Sequence, residues 1–135
     1  MINKIEDFGR NAGKIWETLN SYGSLTQTSL IKKTKLKDDE FYAAVGWLAR
    51  ENKICKDGAT YTLGETNLTD KIGGDASRIW DVLHTCGDID ATYIPRLADI
   101  PKKDTYTALG WLACEGKVKT KKVKPKTPQL HFSLK

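Results

Sequence analysis

A block of lysines near the C-terminal end of the chain has the most readily interpreted chemistry in the sequence. Residues 116–135 contain seven lysines and no acidic residue, whereas residues 65–115 carry nine acidic and five basic residues. Ammonium groups at this density bind phosphate oxygens, so the block indicates a surface for a polyanion; a solvated terminal segment is the alternative. Five of the seven lie within eight residues: Lys119, Lys121, Lys122, Lys124 and Lys126.

The sequence carries no recognisable pattern for catalysis or metal binding. Cys55, Cys86 and Cys114 are widely spaced, and neither His84 nor His131 has a second ligand at a spacing typical of a metal site. No glycine-rich phosphate loop and no dinucleotide-binding fingerprint occurs. We therefore expect no enzyme activity, no metal and no organic cofactor.

The sequence also lacks the features of a membrane or exported protein. No apolar run approaches the roughly 18 residues that span a bilayer, and the first residues do not have the basic-then-apolar order of a secretory signal. The three cysteines suit reduced thiols better than a disulfide framework. We therefore expect a cytoplasmic protein, associated with the nucleoid if it binds DNA.

The elements that position the lysines belong to an internal repeat. Residues 9–53 match residues 73–117 without a gap, at an offset of 64 residues. About a third of the aligned positions are identical, which chance would hardly produce. The run GWLA occurs at residues 46–49 and again at residues 110–113. The chain therefore uses one fold twice.

Periodicity and capping residues predict the helices of each repeat. Apolar residues recur at helical spacing from Ala12 to Leu19, and Gly23 is typical of a C-terminal cap, so the first helix is expected from about residue 11 to residue 22. Thr26 can cap a short second helix over residues 27–34 by accepting a backbone hydrogen bond. Asp38 is the expected cap of the third helix, where carboxylates at residues 38–40 complement the helix dipole.

A β-hairpin is expected after the third helix. The helix has an inward stripe of Phe41, Ala44, Val45 and Leu48, and two short strand-like stretches then flank the turn at residues 57–58. In the second repeat Pro101 lies near the start of the third helix, and the strands at residues 118–123 and 130–134 are joined by a longer loop.

This order of elements predicts a mainly α fold with small β-hairpins, an α+β class, in which two winged helix-turn-helix domains follow one another. The first domain is expected at residues 1–64 and the second at residues 72–135, with a linker at residues 65–71. We call these the first and second units, and their hairpins the first and second wings. The second wing is the longer and more basic of the two.

The run GWLARENKI at residues 46–54, with NAGKIW at residues 11–16, resembles a family of small prokaryotic winged helix-turn-helix proteins of unknown function. The resemblance covers the first unit almost fully. It covers the second unit with more substitutions, since Cys114 stands at the position of Arg50 and Gly116 at that of Asn52. The resemblance implies the fold and names no activity.

The tryptophans and the mid-helix glycines are interpreted as core features. Trp16 and Trp80 fall on the apolar stripe of the first helices, and Trp47 and Trp111 lie beside core leucines. We therefore expect all four rings to pack across the contact between the first and third helices rather than to stack on bases. Gly46 and Gly110 each cost roughly 1 kcal/mol relative to alanine, which indicates a close approach of another group. The expected neighbour of Gly46 is the ring of Trp16.

Nucleic-acid binding is the leading functional hypothesis, with duplex DNA as the expected target and a weak sequence preference. Such a protein would be a transcriptional regulator or a chromatin-type protein. A winged helix places the start of its third helix in a groove and its basic groups on phosphates. The outward residues Ala43, Gly46 and Gly110 would carry little base-specific information. The expected contact residues are Lys102, Lys103, Tyr106 and Thr107 on the helix and Lys119, Lys121, Lys122, Lys124 and Lys126 on the wing.

The first unit fits this hypothesis less well, because Asp38, Asp39 and Glu40 would face the phosphates. The alternative is therefore a protein–protein adaptor that uses winged-helix surfaces, with the first unit as the docking part. A tandem already supplies two units, so a monomer is sufficient for either role.

Overall fold

The computed structural model describes residues 5–123 and 129–135 and contains two units with the same order of elements. The first unit comprises α1 (Ile5–Tyr22), β1 (Leu25–Thr26), α2 (Gln27–Thr34), α3 (Asp38–Arg50), β2 (Ile54–Asp57) and β3 (Thr60–Leu63). The second comprises α4 (Thr69–Cys86), β4 (Ile89–Asp90), α5 (Ile94–Ala98), α6 (Lys102–Cys114), β5 (Val118–Val123) and β6 (Gln129–Leu134). A 3-10 turn (Ala91–Tyr93) precedes α5. The predicted α+β class, with two tandem winged helix-turn-helix domains, is confirmed.

The short second helix has the ends that the sequence predicts. The Thr26 hydroxyl accepts a hydrogen bond of 3.2 Å from the Ser29 backbone N–H at the start of α2. At the other end Lys35 adopts a left-handed conformation with φ of 59°, and its backbone N–H donates to the Ile31 carbonyl. This geometry ends α2 and turns the chain towards α3.

The starts of two other helices differ from the predictions. The first helix begins at Ile5 rather than near Asn11, because its first turn carries two acidic residues and its apolar stripe extends back to Phe8. In α3 the cap position is Lys37 and not Asp38, which is already helical. The carboxylate of Glu40 accepts a hydrogen bond of 2.8 Å from the Lys37 backbone N–H, and this contact fixes the helix start.

Each unit has a three-stranded antiparallel sheet in which the short strand before the second helix joins the hairpin. The strand orders are β1-β3-β2 and β4-β6-β5, so the last strand of each unit is central. Val118 of β5 pairs with Leu134 of β6, and the ladder continues to the pair Val123 and Gln129. The second hairpin is therefore six residues long on each side, against four in the first.

The two units exchange core residues. Phe8 of α1 is fully buried in the hydrophobic cluster of the second unit, and the equivalent Ile72 of α4 is buried in the cluster of the first. Burying a side chain of this size contributes roughly 1.5–3 kcal/mol. The link between the units is also partly ordered, since α4 begins at Thr69, within the expected linker.

Candidate nucleic-acid interface

The third helices of the two units, α3 and α6, pack against each other at their glycines. A Cβ atom added at Gly46 would lie 1.8 Å from the carbonyl oxygen of Thr107, and one added at Gly110 would lie 1.9 Å from that of Ala43. Thr107 is the repeat equivalent of Ala43, just as Gly110 is of Gly46. The contact is therefore reciprocal, like the isologous interface of a two-fold dimer.

This contact covers the helix faces that a helix-turn-helix protein turns towards a DNA groove. The prediction that Ala43, Gly46 and Gly110 face outward is wrong, because all three are buried between the units. The predicted contact of Gly46 with Trp16 is also wrong, since the backbone of α6 occupies the space beside Gly46. The middle of each third helix is therefore closed to a groove.

The four tryptophans differ in burial. Trp16 and Trp80 are 39% and 37% exposed, so the prediction that they are core residues is wrong. Trp47 and Trp111 are partly buried against both hydrophobic clusters. The ring of Trp47 crosses from α3 to α1, where it would lie 3.2 Å from a Cβ atom at Gly9. The ring contact predicted between the first and third helices is therefore present at Trp47.

The expected contact residues at the start of α6 lie beside a cleft between the N-terminal ends of α3 and α6. Lys102 and Lys103 are exposed there, whereas Tyr106 is 9% exposed. Burial raises the pKa of Tyr106 to about 12, with a smaller contribution from the negative charge of Asp39. The cleft has a volume of 450 Å³ and is lined by Asp38, Asp39, Tyr42, Lys102, Lys103 and Tyr106.

Opposite charges at equivalent positions make this cleft a poor phosphate site. Lys102 and Lys103 occupy the repeat positions of Asp38 and Asp39, so each lysine has a carboxylate counterpart across the cleft. Thr107 is half-buried, and its hydroxyl donates a hydrogen bond of 2.8 Å to the Lys103 carbonyl. The packing against α3 withdraws Tyr106 and Thr107 from the expected contact surface, and Lys102 and Lys103 remain accessible.

The second wing carries lysines on its outer side. Lys119 and Lys121 are exposed on one face of β5, and the buried Val118 lies on the opposite face. The Nζ atom of Lys121 lies 3.4 Å from one carboxylate oxygen of Asp88, and the Nδ1 atom of His131 lies 2.6 Å from the other. These contacts, the hydrogen bond with His131 first, lower the pKa of Asp88. Among the described residues Lys119 has no ion-pair partner.

The remaining predicted wing residues lie beyond what the structure describes. The side chain of Lys122 is not among the described groups, and Lys124 and Lys126 fall in the gap at residues 124–128. Their assignment as phosphate contacts stays a prediction from the sequence. The described part of the wing places two of the five predicted lysines on one accessible face.

The first wing is occupied by the segment that links the two units. The Asn67 side chain pairs with the backbone of Lys56 through two hydrogen bonds of 3.0 and 2.7 Å. The ammonium group of Lys56 lies 5.8 Å from the centre of the Tyr61 ring. The first wing is therefore bound to the linking segment of the same chain, and its turn carries the acidic Asp57.

Residues 5–123 and 129–135 contain no group of three or more histidine, cysteine or acidic side chains that could hold a metal ion. The three cysteines are free thiols, and burial raises the pKa of Cys114. Within the same ranges no helix is long and apolar enough to cross a membrane.

Each unit also has a groove between its first and third helices, which the sequence reasoning missed. The first groove has a volume of 320 Å³ and includes Trp16, Glu17, Trp47, Glu51 and Lys53. The second has a volume of 300 Å³ and includes the equivalent residues Trp80, Asp81, Trp111, Glu115 and Lys117. A comparison of exposed positions between the two repeats is the signal that could have found them.

Two winged-helix units that dock through their third helices define a tandem winged helix-turn-helix protein. A family profile with the description "Winged helix-turn-helix domain (DUF2582)" matches residues 1–63 and again residues 67–128. The chain belongs to this family, and the resemblance drawn from the GWLARENKI run is confirmed. A search of curated proteins finds no match. The winged helix-turn-helix fold suggests nucleic-acid binding or a regulatory role, and the family label names no function.

Proposed function

We propose that the protein is a binding protein without catalytic activity that holds the phosphate backbone of duplex DNA through its second wing. The observation that carries this proposal is the exposed pair Lys119 and Lys121, which share one face of β5 within a segment of seven lysines and no acid. Ammonium groups on one face of a strand can contact backbone phosphates without reading the bases. Lys122, Lys124 and Lys126 of the same wing are further candidates for phosphate contacts from the sequence.

In this proposal no recognition helix enters a DNA groove. The packing of Gly46 on Thr107 and of Gly110 on Ala43 closes the middle of α3 and α6 to a DNA groove. Phosphate contacts position a protein on DNA without reading its sequence. The proposal therefore favours a chromatin-type protein with weak sequence preference over a regulator that recognises one operator. It needs no second copy of the chain.

The test is fluorescence anisotropy of a labelled random-sequence duplex, titrated with protein between about 50 and 200 mM salt. The observed slope of log K against log salt should be about −0.9 for each phosphate contacted. The double variant Lys119→Gln/Lys121→Gln should reduce the steepness of that slope by about 1.8. Lys14→Gln/Lys32→Gln, which removes two exposed lysines elsewhere, is the matched control.

The outcomes separate the two functional classes. A steep salt dependence that the wing variant weakens and the control variant retains supports phosphate binding by the wing. Binding that both variants reduce equally assigns the affinity to net charge alone and rejects the wing as the site. No binding even at about 50 mM salt rejects nucleic acid as the partner and favours the adaptor class. The grooves beside Trp16 and Trp80 are the observation that favours that class.

A further inference from the structure

Surface positions that are identical in the two units are concentrated at the two grooves. Four non-glycine pairs are identical with at least one member exposed: Trp16/Trp80, Thr28/Thr92, Glu51/Glu115 and Lys53/Lys117. Three of these four pairs line the grooves. A winged-helix core does not require an indole ring that is about two-fifths exposed, so such a ring in both units indicates contact with something outside the fold.

Two carboxylates and one ammonium group line each groove. Glu51 is paired with Lys53 at 3.7 Å, and Glu115 is paired with Arg50 at 3.0 Å and with Lys117 at 3.4 Å, so these carboxylates already have partners. A further carboxylate stands beside the exposed ring at equivalent positions, Glu17 in one unit and Asp81 in the other.

The further carboxylate is available in each groove. Among the described residues neither Glu17 nor Asp81 forms an ion pair. Each groove therefore combines an accessible carboxylate with an accessible indole face.

We propose that each groove binds a lysine or arginine side chain on a segment of a partner protein. Charge complementarity selects this occupant, because a cation gains both the carboxylate and the electron-rich face of the indole. A phosphate entering the first groove would instead meet Glu17 and Glu51. A partner that presents two basic segments would gain further affinity from the two equivalent grooves, since binding the first raises the effective concentration at the second.

The grooves differ in what contacts the exposed ring. The Trp80 ring is stacked on His84, with ring centres 4.9 Å apart and an angle of 10° between the planes. Asn20 occupies the position of His84 in the first unit. Among the described residues no ring is stacked on Trp16, so we expect the first groove to bind the basic segment more tightly than the second.

The test uses the indole N–H signals of the four tryptophans in a ¹H–¹⁵N spectrum of the full chain. The probe is the pentapeptide acetyl-Gly-Arg-Gly-Arg-Gly-amide, with acetyl-Gly-Glu-Gly-Glu-Gly-amide as the charge control. The basic peptide should shift the signals of Trp16 and Trp80, and the acidic peptide should not. Glu17→Gln should lower the affinity of the first groove about two- to five-fold, as expected for the loss of an exposed ion pair, and leave the Trp80 response unchanged.

Asp81→Asn should have the reverse effect, so each groove is the control for the other. Asp70→Asn, which removes an exposed carboxylate outside both grooves, should change neither response. The absence of indole shifts, equal shifts with both peptides, or unchanged affinity in Glu17→Gln and Asp81→Asn would each overturn the proposal. Larger shifts of the same indoles with a single-stranded DNA oligonucleotide would assign the grooves to nucleic acid and overturn it as well.

Discussion

The ring centres of Phe8 and Phe132 lie 6.1 Å apart, although α1 belongs to the first unit and β6 to the second. Both rings are fully buried. In the opposite direction Ile72 of α4 completes the core of the first unit. Because each core contains a side chain from the other unit, neither unit buries its core alone. The two units should therefore unfold as one cooperative structure.

Replacement of Phe8 by alanine tests this coupling. We expect Phe8→Ala to lower the free energy of unfolding by about 3–5 kcal/mol, because it leaves a cavity between the units. Amide hydrogen exchange should show weaker protection in both sheets, β2–β3 as well as β5–β6. Tyr93→Ala removes an aromatic ring that is 55% exposed and should change stability little. Lost protection in the second sheet only would contradict a shared core.

Replacement of Gly46 by alanine tests the contact between α3 and α6. The new Cβ atom would meet the Thr107 carbonyl oxygen at 1.8 Å, so the two helices must separate. We expect Gly46→Ala to cost at least about 1–3 kcal/mol in a denaturant titration. Gly13 is a matched control, since nothing lies within 4 Å of its added Cβ atom. Gly13→Ala should raise stability by roughly 0.5–1 kcal/mol, and equal effects at both sites would argue against the contact.

The local structure could be predicted because its signals are local. Thr26 and Lys35 end α2 through hydrogen bonds to residues three or four positions away, and such patterns are visible in a sequence. The close approach at Gly46 could also be predicted, but its partner could not. A mid-helix glycine indicates that some backbone or ring comes near, and nothing in the spacing says that it is the other third helix.

The part of the candidate interface that could be predicted is the exposure of its charged residues. Lys119 and Lys121 are exposed on the wing, as expected of lysines on an edge strand. Tyr106 was predicted to be accessible because the apolar stripe of α6 marks only one buried side. The sequence does not show that the other side of α6 packs against α3. Trp16 was misplaced for the converse reason, since an aromatic residue on the stripe can line a groove at its edge rather than enter the core.

The two buried tyrosines predict a loss of stability at alkaline pH. Burial raises the pKa of both Tyr61 and Tyr106 to about 12, against 10.0 in an unfolded chain. Between these two pKa values the unfolded chain releases protons that the folded protein keeps. The contribution of the two tyrosines to the free energy of unfolding is therefore fully present below pH 10 and is lost as the pH rises towards about 12. Denaturant midpoints measured across this range should fall less in Tyr61→Phe. Tyr93→Phe, at an exposed ring, should retain the full decline.

In the proposed binding mode the carboxylate of Asp88 competes with phosphate for Lys121, because its oxygen lies 3.4 Å from the Lys121 Nζ atom. Asp88→Asn should release Lys121 and tighten binding to the random duplex about two- to five-fold, a change of the size of one exposed ion pair. Fluorescence anisotropy at fixed salt measures the change. Asp70→Asn alters the net charge equally, away from the wing, and should have a smaller effect. Equal tightening by both variants would mean that the total charge, and not the wing, controls binding.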